Sequence, residues 1–74
     1  MLAVQVKMAR AALGLGVREL AALAGVAPGT IQRLEAGETL HQRTIIAIRE
    51  ALEREGVVFI DENGGGPGVR MKRR

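Results

Sequence analysis

Residues 17–37, VRELAALAGVAPGTIQRLEAG, place the tightest limits on what this chain can fold into. Apolar residues recur with helical spacing from about 17 to 24, which predicts a helix that Gly25 then interrupts. A tight turn there needs a positive φ, and glycine adopts that conformation at little cost. Pro28 suits the first position of a second helix, and Gly37 suits the residue that ends it. The segment therefore predicts two short helices joined by a tight turn.

The small and apolar residues of this segment indicate how the two helices pack. Ala21 is small enough for two steeply crossed helices to approach each other closely. The residues expected to face inward are Leu20, Val26, Ile31 and Leu34. Together with Ala21 and Gly25, this spacing is the pattern of a helix-turn-helix motif.

These positions resemble those of Cro and the lambda-type phage repressors, a family of regulators often called XRE-type. The resemblance continues upstream through ARAALGLGVRELA and downstream through TIQRLEAGE, and it covers roughly residues 5–55. It implies a mainly α, four-helix, lambda-repressor-like fold that binds double-stranded DNA. It also implies a structural ion pair between Arg10 of the first helix and Glu35 of the third, with phosphate contact by Arg10 as the alternative.

Two further helices are expected outside the helix-turn-helix, over about 2–13 and about 43–55. The apolar stripes that complete a four-helix core are Val6, Ala9 and Leu13 in the first helix, and Ile45, Ile48 and Leu52 in the fourth. Ile46 lies off its stripe, so we expect it to be partly exposed or in contact with a second subunit. Gly16 stands at the N-cap position of the second helix, where glycine is tolerated.

The end of the chain departs from family members that continue into a fifth helix. Gly56 ends the fourth helix, residues 57–60 are β-branched or aromatic as in a strand, and residues 69–72 form a second candidate strand. The glycine-rich loop between them favours a β-hairpin in place of the fifth helix. This ending resembles that of a group of short, stand-alone bacterial regulators of the same family, which carry a similar GV-x-FI…ENGGGPGVR tail.

Both faces of the strand at 57–60 are apolar, and four helices can cover only one of them. An isolated hairpin is also marginally stable in water. Pairing or packing of two hairpins removes both problems, so we expect a homodimer. Residues 1–56 would form the DNA-binding domain, and residues 57–74 a dimerisation element with a basic tail. The expected interface residues are Val57, Val58, Phe59, Ile60, Val69 and Met71.

Length and composition exclude several other classes of protein. The 74 residues suffice for one small domain, and the absence of cysteine excludes disulfides and cysteine-based metal sites. Phe59 is the single aromatic residue, too few for a stacking platform that binds single strands. The sequence shows neither a membrane-spanning apolar run nor a secretion signal. We therefore expect a cytoplasmic, nucleoid-associated protein that does not bind membranes.

No constellation of residues predicts an enzyme, a cofactor or a metal site. The spacing of acids, serines and the one histidine fits no catalytic set. His41 has no partner at metal-ligand spacing, so we interpret it as a loop residue. The stretch 63–68 lacks the Lys-Ser/Thr ending of a P-loop and no helix follows it, which favours a flexible hairpin connection.

The net charge of +3 is distributed unevenly. Residues 1–33 hold four basic groups and one acid, residues 34–62 hold three basic groups and seven acids, and residues 63–74 hold four basic groups and no acid. DNA phosphates would be attracted to the two basic regions, with the acidic helix facing away. Arg73 and Arg74 suit either a phosphate contact or a solubilising tail, and any one basic residue is equally well explained as solvated surface.

The resemblance, carried over position by position, directs the outer face of the third helix toward the major groove. Ala27 replaces the usual Ser or Thr cap, and Pro28 and Gly29 replace polar residues, so few hydrogen-bonding groups remain. Arg33 can bond both acceptors of a guanine edge, for about 1–3 kcal/mol of discrimination, and Gln32 suits adenine or solvent. The expected base contacts are Pro28, Gly29, Thr30, Gln32 and Arg33, and the expected phosphate contacts are Arg18, Ala27, Arg43, Arg70 and Lys72.

The leading hypothesis from the sequence is a dimeric, sequence-specific transcription regulator, most simply a repressor at a near-palindromic operator. The alternative belongs to another class: a protein-interaction module, such as an antitoxin-like partner binder, whose helix-turn-helix binds DNA weakly or not at all. The sparse reading surface favours the alternative. The basic N-terminal half and the basic tail favour DNA binding.

Overall fold

The computed structural model describes residues 1 and 3–72. Its four helices are Ala3–Leu13 (α1), Val17–Ala24 (α2), Pro28–Glu35 (α3) and Gln42–Arg54 (α4), and its two strands are Val57–Ile60 (β1) and Gly68–Met71 (β2). This order confirms the predicted mainly helical fold with a C-terminal hairpin. The predicted ends of the helices and strands agree with the observed ones to within one or two residues. Leu2, the predicted start of the first helix, and the tail residues Arg73 and Arg74 lie outside the described residues.

One apolar core joins the four helices to the hairpin. Its fully buried side chains include Val6 of α1, Leu20 of α2, Ile31 of α3, and Ile48 and Leu52 of α4. Burial of each such side chain stabilises the fold by about 1.5–3 kcal/mol, and this term is what holds helices of only two or three turns together. The predicted inward stripes therefore form the core.

The remaining stripe residues lie at the margin of this core. Leu13 and Ile45 are partly buried and pack against it. Ile46 is 45% exposed, as its position off the α4 stripe predicts. The helices are thus amphipathic in the sense that the sequence pattern indicates, with the least buried apolar residues at the edges of each stripe.

The hairpin is a two-stranded antiparallel sheet in which Phe59 pairs with Val69. It packs against α1 and α4. Gly56 makes the sharp turn from α4 into β1 with φ of 104°, a region that disfavours any residue with a Cβ, and its carbonyl accepts a 2.7 Å bond from the Lys72 N–H. The sheet therefore starts directly at the end of α4.

The two faces of β1 are in different environments. Val57 and Phe59 are 1% and 9% exposed and belong to the core cluster, whereas Val58 and Ile60 on the opposite face are half-buried. Helices of the same chain cover Val57 and Phe59, which leaves Val58 and Ile60 as the residues of β1 that a second subunit could cover; the dimer interface stays a prediction. The hairpin accordingly shares one core with the helices through Val57, Phe59 and Val69.

Gln5 of α1 is the buried polar residue that the sequence did not single out. Its side chain is 2% exposed, and its Nε2 donates hydrogen bonds of 3.0 Å to the carbonyls of Ile60 and Gly68. These two residues pair with each other where the strands meet the glycine-rich loop. A second polar contact between the helices and the hairpin comes from Arg49 of α4, whose guanidinium lies 5.2 Å from the centre of the Phe59 ring of β1.

Candidate nucleic-acid interface

The turn between α2 and α3 has the conformation that the sequence predicts. Gly25 adopts φ of 71° and ψ of 34°, the left-handed region, and its N–H and that of Val26 bond back to α2. The Val26 N–H donates to the Ala21 carbonyl at 3.0 Å, which closes the last turn of α2. Ala21 is buried where α2 contacts α3. The turn thus fixes the direction in which α3 leaves α2.

The first turn of α3 has no side-chain cap. Ala27 is the N-cap, in an extended conformation with φ of −73° and ψ of 148°, and Pro28 follows as the first helical residue. The alanine side chain cannot accept a hydrogen bond, Pro28 carries no N–H, and the Thr30 N–H donates to the Ala27 carbonyl at 2.9 Å. The Gly29 N–H is therefore the first-turn amide that lacks a side-chain cap. Uncapped amides at a helix N-terminus favour an anion.

The residues predicted to contact bases share one exposed face of α3. Ile31 and Leu34 point into the core. The outward-facing residues are those that precede Ile31 and the two that stand between Ile31 and Leu34. Ala27, Pro28, Gly29, Gln32 and Arg33 are exposed, and Thr30 is half-buried. The helix therefore presents a continuous surface that is apolar at its start and polar in its second turn.

Arg33 and Thr30 are neighbours on this face. Arg33 Nη2 lies 3.5 Å from Thr30 Oγ1, which is long for a hydrogen bond and leaves the guanidinium largely free to move. An exposed guanidinium engaged in one long contact keeps most of its five donors for bidentate recognition of a planar acceptor pair. Arg33 is thus exposed on the outer face of α3 with one long contact to a side chain of its own helix.

Arg10 and Glu35 form a bidentate ion pair between α1 and the end of α3. Arg10 Nε and Nη2 donate to the two carboxylate oxygens of Glu35 at 2.6 and 2.8 Å, and Nη1 donates to the Leu15 carbonyl at 3.2 Å. The side chains of Arg10 and Glu35 are 22% and 8% exposed. Hydrogen bonding to Glu35 raises the pKa of Arg10 above its ordinary value. Arg10 is therefore engaged in positioning α3, which leaves it poorly placed for a phosphate.

The residues predicted to contact phosphates are exposed but lie on different elements. Arg18 and Arg43 each occupy the second position of a helix, α2 and α4 respectively. The positive partial charge at each helix N-terminus acts in the same direction as the charge of the arginine beside it. Arg70 and Lys72 are exposed on the hairpin and just after it. The five predicted residues thus come from the starts of α2, α3 and α4 and from the hairpin and the residue after it.

Sequence reasoning missed Gln5, although one signal was available. Gln5 stands directly before Val6 and four residues before Ala9, so it lies on the buried stripe of α1. A polar residue on such a stripe needs hydrogen-bond partners inside the protein. The sequence does not reveal that these partners are backbone carbonyls more than fifty residues away.

The described part of the chain, residues 1 and 3–72, shows no enclosed pocket and no group of three or more residues able to hold a metal ion. None of the helices in that part is long and apolar enough to cross a membrane. The notable surface of the described residues is therefore the exposed outer face of α3.

Comparison with known families agrees with this geometry. A helix-turn-helix family model matches residues 6–59, which is more than half of the chain and extends from α1 to β1. Comparison with curated proteins finds no match. Domains of the matched family bind DNA and are not enzymes. The protein therefore belongs to the XRE-type helix-turn-helix family of DNA-binding regulators.

Proposed function

We propose that this protein is a sequence-specific regulator that binds double-stranded DNA as a homodimer and represses transcription by covering a near-palindromic operator. The observation that carries the proposal is the division of α3 into two faces. Ile31 and Leu34 anchor the helix in the core, while Gln32 and Arg33 project from its exposed side. A helix held in this way can insert its outer face into a major groove.

Base recognition is assigned to the polar second turn of α3. Arg33 bonds the two acceptors of a guanine, and Gln32 and Thr30 supply the remaining donors and acceptors. Pro28 and Gly29 have no side-chain hydrogen-bonding group, so they contribute close approach and contact with a thymine methyl. With few direct contacts in each subunit, selectivity depends on the simultaneous binding of two half-sites about one helical turn apart.

Phosphate binding is assigned to groups around the reading face. The Gly29 N–H at the start of α3 and the side chains of Arg18 and Arg43 contact the backbone beside the groove. Arg70 and Lys72 contact phosphates from the hairpin. Such contacts position the protein on the duplex and supply the salt-dependent part of the affinity.

Dimerisation is assigned to the outer face of the hairpin. Met71 pairs with Val57 and so lies on the inner face of the sheet, where it is 41% exposed, whereas Val58 and Ile60 lie on the outer face and are half-buried without being part of the core. Packing of this apolar face against its equivalent in a second copy removes it from water. Residues 57–74 therefore act as the dimerisation element beside DNA-binding residues 1–56, in the cytoplasm at the nucleoid.

The rival function is a protein-interaction module with a partner such as a toxin, and the exposed Ala27-Pro28-Gly29 surface is the observation in its favour. A fluorescence-anisotropy titration with genomic fragments separates the two. The proposal predicts fragment-selective binding that weakens by about 10³-fold or more between roughly 50 and 200 mM salt if six or more phosphates are contacted. Weak binding with no preference among fragments would contradict DNA regulation and favour the rival.

A further inference from the structure

Two polar side chains of α1 attach different parts of the molecule to the same helix. Gln5, in its first turn, donates to the carbonyls of Ile60 and Gly68 at the loop end of the hairpin. Arg10, near its last turn, binds Glu35 at the end of α3. The two attachment points are five residues apart, a rise of about 7.5 Å along a rigid helix.

We propose that Gln5 is a positioning residue that sets the distance between the two recognition helices of the dimer. This inference rests on the proposed function, because it requires the hairpin to dimerise and α3 to read DNA. Gln5 fixes the hairpin on α1, and α1 fixes α3 through Arg10. The arrangement of hairpin, α1 and α3 then determines which separation of half-sites both subunits can bind at once.

The character of the Gln5 contact suits this role better than apolar packing alone. Apolar packing of Val57 and Phe59 holds the hairpin against the helices but is non-directional. A buried amide that donates to two carbonyls at 3.0 Å has a narrow choice of angle and distance. Since both acceptors are backbone groups at a paired position of the two strands, the contact fixes the sheet as a unit.

The test uses the full chain and DNA selected from a randomised pool by the wild-type protein. Two copies of the selected half-site are placed at centre-to-centre separations from about 8 to 13 base pairs, around the one-turn spacing expected for such dimers. The wild type is expected to prefer its best separation over its worst by about 100-fold, since simultaneous binding is lost when geometry forbids it. Gln5→Leu is expected to reduce this preference to about tenfold or less, because the hairpin is no longer held at one angle.

Ile48→Val is the matched control. It removes one methyl from the core of α4 and lowers stability by about 0.5–1.5 kcal/mol while leaving both Gln5 bonds in place. A merely structural role for Gln5 predicts that Gln5→Leu and Ile48→Val both keep the wild-type spacing preference. A positioning role predicts that Gln5→Leu alone loses it.

Gln5→Glu provides a second variant of nearly the same size. Its ionised carboxylate has no donor for the two carbonyls, whereas the protonated form donates one bond, so lowering the pH from about 8 to about 5 is expected to restore part of the spacing preference. Gln5→Leu is expected to show no such recovery. Recovery with Gln5→Glu supports the proposal even if Gln5→Leu does not fold.

The outcomes separate this inference from the function on which it rests. A wild-type protein that selects no sequence from the pool overturns the proposed function and this inference together. A wild-type protein with a clear spacing optimum that is retained by Gln5→Leu, or by Gln5→Glu at every pH, overturns the inference alone.

Discussion

The recognition helix and the hairpin are both attached to α1, but by contacts of opposite character. Arg10 holds α3 through a bidentate ion pair with the side chain of Glu35, and the Arg10 side chain is 22% exposed. Gln5 holds the hairpin through a neutral amide that is 2% exposed and donates to the backbone carbonyls of Ile60 and Gly68. The ion pair therefore depends on the identity of two side chains, whereas the amide contact depends on the identity of one.

Removing Glu35 tests the charged attachment and has the largest expected effect. Glu35→Ala leaves Arg10 partly buried with only the Leu15 carbonyl as partner, and we expect a loss of about 2–4 kcal/mol in the free energy of unfolding. Partial exposure of Arg10 keeps the loss below that of a fully buried pair. Urea denaturation measures it.

The matched control is Glu53→Ala, which breaks the surface pair of Glu53 with Arg49 at 3.3 Å and is expected to cost under about 0.5 kcal/mol. The pKa of Arg10 is raised, so its contribution is complete below its ordinary pKa and is lost only as pH rises through the raised value. No change of stability from Arg10 is therefore expected between about pH 6 and 10. Equal losses for Glu35→Ala and Glu53→Ala would show that the α1–α3 pair does not hold the helix.

Gly25 tests a different means of orienting α3, the turn itself. Gly25→Ala places a Cβ at φ of 71°, although open space surrounds that position, so the expected loss of about 1–2 kcal/mol is purely conformational. Gly29→Ala is the control, since its Cβ also meets nothing but its backbone is helical; a gain of up to about 1 kcal/mol is expected. A stabilising Gly25→Ala, measured by thermal unfolding, would contradict the left-handed turn.

The same contrast explains what the sequence could and could not predict. Ala21, Gly25 and the inward residues of α2 and α3 contact one another within about fifteen positions, so their spacing encodes their packing. The Arg10–Glu35 contact follows from the family resemblance because both partners are side chains. The role of Gln5 was missed because its hydrogen-bond acceptors are backbone carbonyls more than fifty positions away. Every residue has a backbone carbonyl, so the sequence does not mark which ones Gln5 contacts.

The sequence likewise did not reveal that Val57 and Phe59, two residues of the predicted dimer interface, are covered within one chain. Alternation along β1 shows that the strand has two apolar faces, but not which one the helices cover. The register and the packing on α1 and α4 decide that Val57 and Phe59 face the core. Val58 and Ile60, on the outer face of β1, therefore remain the candidates for contact with a second subunit.

The outer face of the hairpin offers the smallest expected effect on monomer stability. Val58→Thr combined with Ile60→Thr keeps β-branched side chains and does not touch the Gln5 contact, so we expect a loss of under about 0.5 kcal/mol for the monomer. The dissociation constant of the dimer is expected to rise by about tenfold or more. Sedimentation equilibrium measures it, and an unchanged dimer constant would remove this face from the interface.

The most direct test of the central claim, that the outer face of α3 reads DNA sequence, is the ratio of specific to non-specific affinity for two arginine variants. Arg33→Ala is expected to lower this ratio by about tenfold or more, because it removes a base contact. Arg18→Ala is expected to weaken binding to all sequences alike and to reduce the slope of log affinity against log salt by about 1. An unchanged ratio for Arg33→Ala would contradict the assignment of sequence reading to this face.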